Sequence, residues 1–90
     1  MNTAVVVRVE GRVQAVGYRF WAQMEAEKLG ITGWIRNEPD GAVVAHLEGP
    51  SSAIRDMVRA MWKGPRWCHV TDVTLSEAEV EGYMRFATEY

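Results

Sequence analysis

Ile31-Thr32-Gly33-Trp34-Ile35-Arg36 and Ala42-Val43-Val44-Ala45-His46-Leu47-Glu48, separated by Asn37-Glu38-Pro39-Asp40-Gly41, decide the fold. Both flanking runs are rich in apolar and β-branched residues. In the second, Val43, Ala45 and Leu47 alternate with positions that face the other way, the period of a half-buried strand. Between them Pro39 presets φ at the first corner of a turn, and Asp40-Gly41 tolerates the tight return. The stretch is therefore predicted to be a hairpin, and the rest of the chain is read outward from it.

On the amino-terminal side, Val5, Val7 and Val9 alternate with Val6, Arg8 and Glu10 and predict a first strand. A glycine-bounded loop, Gly11 to Gly17, leads into a helix from Tyr18 to Leu29, with Tyr18, Ala22, Ala26 and Leu29 on one face and Gly30 as a left-handed C-cap. Phe20 and Met24 lie almost opposite that face, either under a neighbouring loop or as an exposed apolar spot. On the carboxyl-terminal side, Gly49-Pro50-Ser51-Ser52 precedes a second helix with a serine as N-cap. Its inner stripe is Ile54, Met57, Val58 and Met61, and Lys63-Gly64-Pro65 stops it. Cys68 to Leu75 reads as a further strand with a bulge between Val70 and Val73, and Met84 to Ala87 as a short last one.

The order is β-α-β-β-α-β with a short fifth strand appended. It specifies an α+β, ferredoxin-like sandwich: an antiparallel sheet, two helices on one face, the other face partly open. Residues 1–90 are expected to form one domain. The crossover helix makes the first two strands run the same way, with their carboxyl ends at one edge. The Gly11–Gly17 loop and Asn37 both leave the sheet at that edge, so residues far apart in sequence meet there.

Ninety residues with 48% apolar content can build a core but no second lobe. Ten Lys+Arg against twelve Asp+Glu leave a net charge of -2, which disfavours broad nucleic-acid binding. Cys68 is the only cysteine, so neither an internal disulfide nor a thiolate cage is available, and it reads as a packing residue. The apolar run Ala4-Val5-Val6-Val7 is too short for a signal-peptide core or a membrane span, and a cytoplasmic location is expected.

A strand, a glycine-containing loop and a helix start can make an anion-binding concavity of backbone N–H groups. Arg19 stands at the helix start, and its planar fork suits a phosphate. No Gly-Lys-Ser/Thr follows, so the loop is not a Walker A motif. On physics alone an ordinary loop with a surface arginine is the commoner reading. Asn37 precedes a hairpin turn, and on its own a turn-capping asparagine is the commoner reading. His46, on the outward face of its strand, and His69 lack a partner at ligand spacing, so no metal site is expected. Trp21, Trp34, Trp62 and Trp67 read as packing or ligand-rim residues, and Glu77, Glu79 and Glu81 as a solvated acidic rim.

Gly11-Arg12-Val13-Gln14-Ala15-Val16-Gly17-Tyr18-Arg19 resembles the acylphosphatase signature Gly-x-Val-Gln-Gly-Val-x-Phe/Tyr-Arg. Gly33-Trp34-Ile35-Arg36-Asn37-Glu38-Pro39-Asp40-Gly41-Ala42-Val43, closed by Gly49, is similar to that family's second signature. Ala26-Glu27-Lys28-Leu29-Gly30 and Gly64-Pro65 also match, so the resemblance covers nearly the whole chain. It implies hydrolysis of acyl phosphates to a carboxylate and inorganic phosphate. By motif position, the backbone amides of Gln14, Ala15, Val16, Gly17, Tyr18 and Arg19, with the Arg19 side chain, would bind the phosphoryl group. Asn37 would position the attacking water, and Arg19 and Asn37 would be the catalytic pair.

Such a site is chemically sufficient. A carboxylate leaving group, with a conjugate-acid pKa of about 4, needs little protonation. A loose phosphoryl-transfer transition state needs positioning and charge stabilisation more than covalent help. No metal or cofactor is expected; the partner is a small acyl phosphate, with no nucleic acid and no membrane, and the chain is expected to be a monomer. Ala15 departs from the pattern, which has glycine there. If the position needs φ > 0, alanine costs roughly 1–2 kcal/mol as strain or a shifted loop, and weaker phosphate binding is expected. A non-catalytic phosphate- or anion-binding regulatory module on the same scaffold is the competing reading. An RNA-binding domain is a third, opposed by the acidity and by the absence of an aromatic stacking motif.

Overall fold

The chain runs β1 (Asn2–Arg12), α1 (Tyr18–Leu29), β2 (Thr32–Asn37), β3 (Val43–Pro50), α2 (Ser51–Lys63), β4 (His69–Ala78) and β5 (Phe86–Glu89) in a computed structural model that describes residues 2–89. One sheet holds all five strands in the order β4-β1-β3-β2-β5. β3 lies between β1 and β2 and is antiparallel to both, so those two point the same way and end at one edge. The hairpin forms as expected, closed by Glu38 N–H on the Ala42 carbonyl at 2.8 Å and Gly41 N–H on the Glu38 carbonyl at 3.1 Å.

The helices cover one face. Tyr18, Ala22 and Ala26 of α1 and Ile54, Met57 and Met61 of α2 pack on Val7, Val9, Ile35, Val43, Ala45 and Leu47. Gly30 takes the left-handed C-cap conformation, φ 72°. The bulge falls within the expected stretch. Glu10 pairs with Asp72 but Gly11 with Val70, which leaves Thr71 as the extra residue of β4.

Three expectations are corrected. The sheet is mixed rather than antiparallel, because β5 pairs parallel with β2. That strand is Phe86–Glu89, not Met84–Ala87: Phe86 enters the core at 3% exposure, whereas Met84 is 93% exposed in the preceding loop. α2 has Pro50 at its N-cap, φ -60° and ψ 146°, and no serine cap. Proline's fixed φ suits that extended position, and Ser51 already begins the helix. The outer face of the sheet is partly open, with one part of it covered. His46 does face outward from β3, but it and Glu48 are buried at 4% and 2% exposure, because the chain between β4 and β5 crosses over them.

Candidate active site

At the edge where β1 and β2 end, the backbone of β1 passes through residues 13–17 into α1, and β5 delivers Thr88 beside β2. A cavity of about 230 Å³ lies among them. Arg19, Gln23, Asn37 and Thr88 are its polar lining, Ala15 and Gly17 line it from the loop, and its apolar lining is the exposed Phe20 with the buried Val13 and Tyr18.

The loop has an unusual path. Ala15 adopts φ 62°, and no other non-glycine residue described has a positive φ. Gly17 follows at φ 84° and is the N-cap of α1, with no side chain capping the helix. The first N–H groups of a helix have no acceptor inside it, and they carry the positive end of its dipole. This end of α1 borders the cavity through Gly17, Tyr18 and Arg19. Two side chains hold the loop from outside. Gln14 Nε2 donates to the carbonyls of Glu38 at 2.7 Å and Ala42 at 2.8 Å, tying the loop to the turn that follows Asn37. The Trp67 indole N–H donates to the Val16 carbonyl. In a trans peptide C=O and N–H point opposite ways, so this bond also fixes the direction of the Gly17 N–H.

Arg19 Nη1 donates to the Glu89 carbonyl at 2.6 Å, which orients the guanidinium from the β5 side. Asn37 has a different status: its Oδ1 is buried and accepts no hydrogen bond from the protein. A buried amide oxygen left unpaired carries a desolvation cost, and a bound water that donates to it would remove that cost. Tyr18 is not a proton donor to the cavity. Burial holds its phenol above the ordinary range, and its hydroxyl donates to the Met61 carbonyl at 2.9 Å. Near the hairpin turn, Arg8 holds the Asp40 carboxyl below its usual range by a direct hydrogen bond, helped by the Ala42 N–H.

Of the residues predicted for the site, Ala15, Gly17, Tyr18, Arg19 and Asn37 share one cavity. Gln14 and Val16 are not on its wall; the Gln14 side chain and the Val16 carbonyl make the two outside ties instead. Gln23 and Thr88, hydrogen-bonded to each other at 2.6 Å, were not anticipated. Gln23 is recoverable from sequence as the residue one helical turn beyond Arg19. Thr88 is not, since only the register Ile35↔Thr88 brings it there. Glu48 was also missed. Its carboxylate accepts from the N–H groups of Glu81, Gly82 and Tyr83 at 2.6, 3.1 and 3.3 Å and contacts His46 Nε2 at 2.8 Å. Burial pushes this carboxyl up, but those donors outweigh burial and hold it below the ordinary range. Among the described residues no three His, Cys, Asp or Glu side chains group as metal ligands, and no helix is long and apolar enough to cross a membrane.

Comparison with known proteins identifies this arrangement. The acylphosphatase family model matches residues 5–88. The chain belongs to the acylphosphatase family. An acylphosphatase of Nocardioides sp. is 46% identical over 86 residues, which span 96% of this chain and 87% of the relative. The crystal structure of acylphosphatase from Bacillus subtilis superposes with a TM-score of 0.95 at 40% identity, over 100% of both chains. That of an acylphosphatase from Coxiella burnetii gives 0.94 at 33% identity, covering 98% of this chain and 93% of the other. Family membership thus agrees with the α+β fold and with both sequence blocks, which fall at the two strand ends that border the cavity.

Proposed function

We propose that this member of the acylphosphatase family hydrolyses the carboxyl–phosphate bond of acyl phosphates, using Arg19 and Asn37 as its catalytic pair and the backbone amides of residues 14–19 as a phosphate cradle. The activity rests on the family; the roles of Arg19 and Asn37 rest on the cavity, and the full 14–19 cradle rests on the family signature, since Gln14 and Val16 lie off the cavity wall. The observation that carries them is the pairing in one small cavity of a cation, Arg19, with a buried amide oxygen, Asn37 Oδ1, that lacks a donor.

In the reaction, the phosphoryl oxygens lie on the Arg19 guanidinium and the amides at the start of α1. A water donating one proton to Asn37 Oδ1 has its lone pair directed at phosphorus. The new O–P bond forms as the acyl O–P bond breaks, and the electron pair of the broken bond leaves on the carboxylate. The water's second proton passes to a phosphoryl oxygen, so no side-chain base is required. A preorganised cation and oriented amides stabilise the charge that spreads over the phosphoryl oxygens.

With so local a cation, the net charge of -2 does not oppose binding one phosphoryl group. On this reading the chemistry needs neither a metal nor a cofactor, and we propose that the chain acts as a one-domain cytoplasmic monomer without a nucleic-acid partner. Turnover of acetyl phosphate and benzoyl phosphate with a chelator present tests it. Turnover is expected, with inorganic phosphate as a competitive inhibitor. Arg19→Ala should lower kcat/KM by about a thousandfold and abolish that competition. Phosphate binding without turnover by the intact chain would establish the anion-binding module instead.

A further inference from the structure

The non-reacting end of the substrate has its own contact. Phe20 is 69% exposed and stands on the wall of the same cavity as its sequence neighbour Arg19. Successive helical residues project about 100° apart, so α1 offers a cation to one part of the cavity and an aromatic ring to another. The wall formed by Gln23, Asn37 and Thr88 is polar, which makes Phe20 the one exposed large apolar side chain among the described residues that line the cavity. Met24, one turn further on and 46% exposed, extends the apolar strip outward along α1. A solitary exposed phenylalanine is ordinary on a protein surface. On the wall of a cavity with a cation beside it, the ring is placed to cover the apolar end of a ligand whose other end is anionic. The cavity, about 230 Å³, is smaller than the roughly 300–1,000 Å³ of sites for drug-sized ligands and suits a small acyl group.

We propose that Phe20 is a specificity-determining contact for the acyl group, and that the preferred substrates are acyl phosphates with a short apolar chain or a single ring rather than acetyl phosphate. This rests on the acyl-phosphate reading above. Acetyl, propionyl and butyryl phosphates provide the test, because their carboxylate leaving groups are of similar basicity and the series varies only in apolar length. A methylene half-covered by the ring should raise kcat/KM about twofold per carbon in the intact chain. Phe20→Ala should flatten the series, and Phe20→Leu should keep most of its slope. A flat series in the intact chain, or an unchanged slope in Phe20→Ala, overturns the preference while leaving the activity standing. Loss of all turnover in a folded Phe20→Ala also overturns it, since the ring would then serve the reaction itself. Absence of turnover on all three substrates by the intact chain overturns the activity, and the preference with it.

Discussion

At residues 81–83, three consecutive backbone N–H groups converge on the buried Glu48 carboxylate, and Gly82 makes the turn possible at φ 84°. At residues 14–19, a turn that also carries a glycine at φ 84°, Gly17, borders an open cavity beside Arg19. Consecutive amides around a left-handed residue are a general anion-holding device. In the first region the anion is part of the chain, so the device ties the β4–β5 connection to the sheet and carries β5 into place. In the second, on the function proposed above, the anion is the phosphoryl group of a ligand. The two regions also differ in how they are held. Glu48 is enclosed and fully partnered, whereas the 14–19 loop is secured by Gln14 and Trp67 and includes a left-handed alanine.

Three substitutions sharpen that contrast, in descending order of effect. Asn37→Ala should lower kcat about a hundredfold with little change in KM, because it removes the group proposed to aim the water. Stability should hold within about 0.5 kcal/mol, since the lost oxygen was buried without a partner. Unchanged kcat in steady-state assays would remove Asn37 from the site.

Glu48→Gln should act the other way, costing about 2–4 kcal/mol of stability by breaking a buried, satisfied charge. Its pH signature follows from the lowered carboxyl value. The stability Glu48 contributes is fully present above the unfolded value of about 4.3 and is lost as pH falls through the lower native value. Denaturation midpoints should therefore fall in acid more steeply for the intact chain than for the variant; parallel curves would mean that the carboxylate is not held as described.

Ala15→Gly should have the smallest effect. A left-handed alanine costs roughly 1–2 kcal/mol, and glycine returns part of that gain by loosening the unfolded chain, so a net stabilisation of about 0.5–1 kcal/mol is expected in thermal melts. Ala15 adopts φ 62°, so the loop carries this cost. Phosphate should inhibit the glycine variant more strongly, by up to about tenfold for about 1.4 kcal/mol of relieved strain. Unchanged inhibition would mean that Ala15 does not weaken phosphate binding.

Most of the fold was legible because it is built from short-range signals. The alternation in β1 and β3, the Glu38–Gly41 turn, the Gly30 cap and the α2 stripe each depend on neighbours within a few residues. The site was legible where topology alone brings its parts together: β1 and β2 end at one edge, so Arg19 and Asn37 meet. What escaped notice depends on the path of the chain after β4. Residues 79–85 carry no period, and their course over Glu48 and His46 is set by buried electrostatics rather than by propensity. The position of β5, and with it Thr88 and the Glu89 carbonyl on Arg19, follows from that course. The conformation of Ala15 was posed by the sequence as a question, since backbone φ at a turn is decided by closure of the whole loop.

The central claim is that one amide turn is left for a ligand while the other is filled by the protein. Titration of the isotopically labelled chain with inorganic phosphate, followed by the amide resonances of both regions, tests it directly. The account requires saturable shifts at Ala15, Val16, Gly17, Tyr18 and Arg19, with Glu81, Gly82 and Tyr83 unmoved. Unmoved resonances at 15–19, or equal shifts in the two regions, would contradict it.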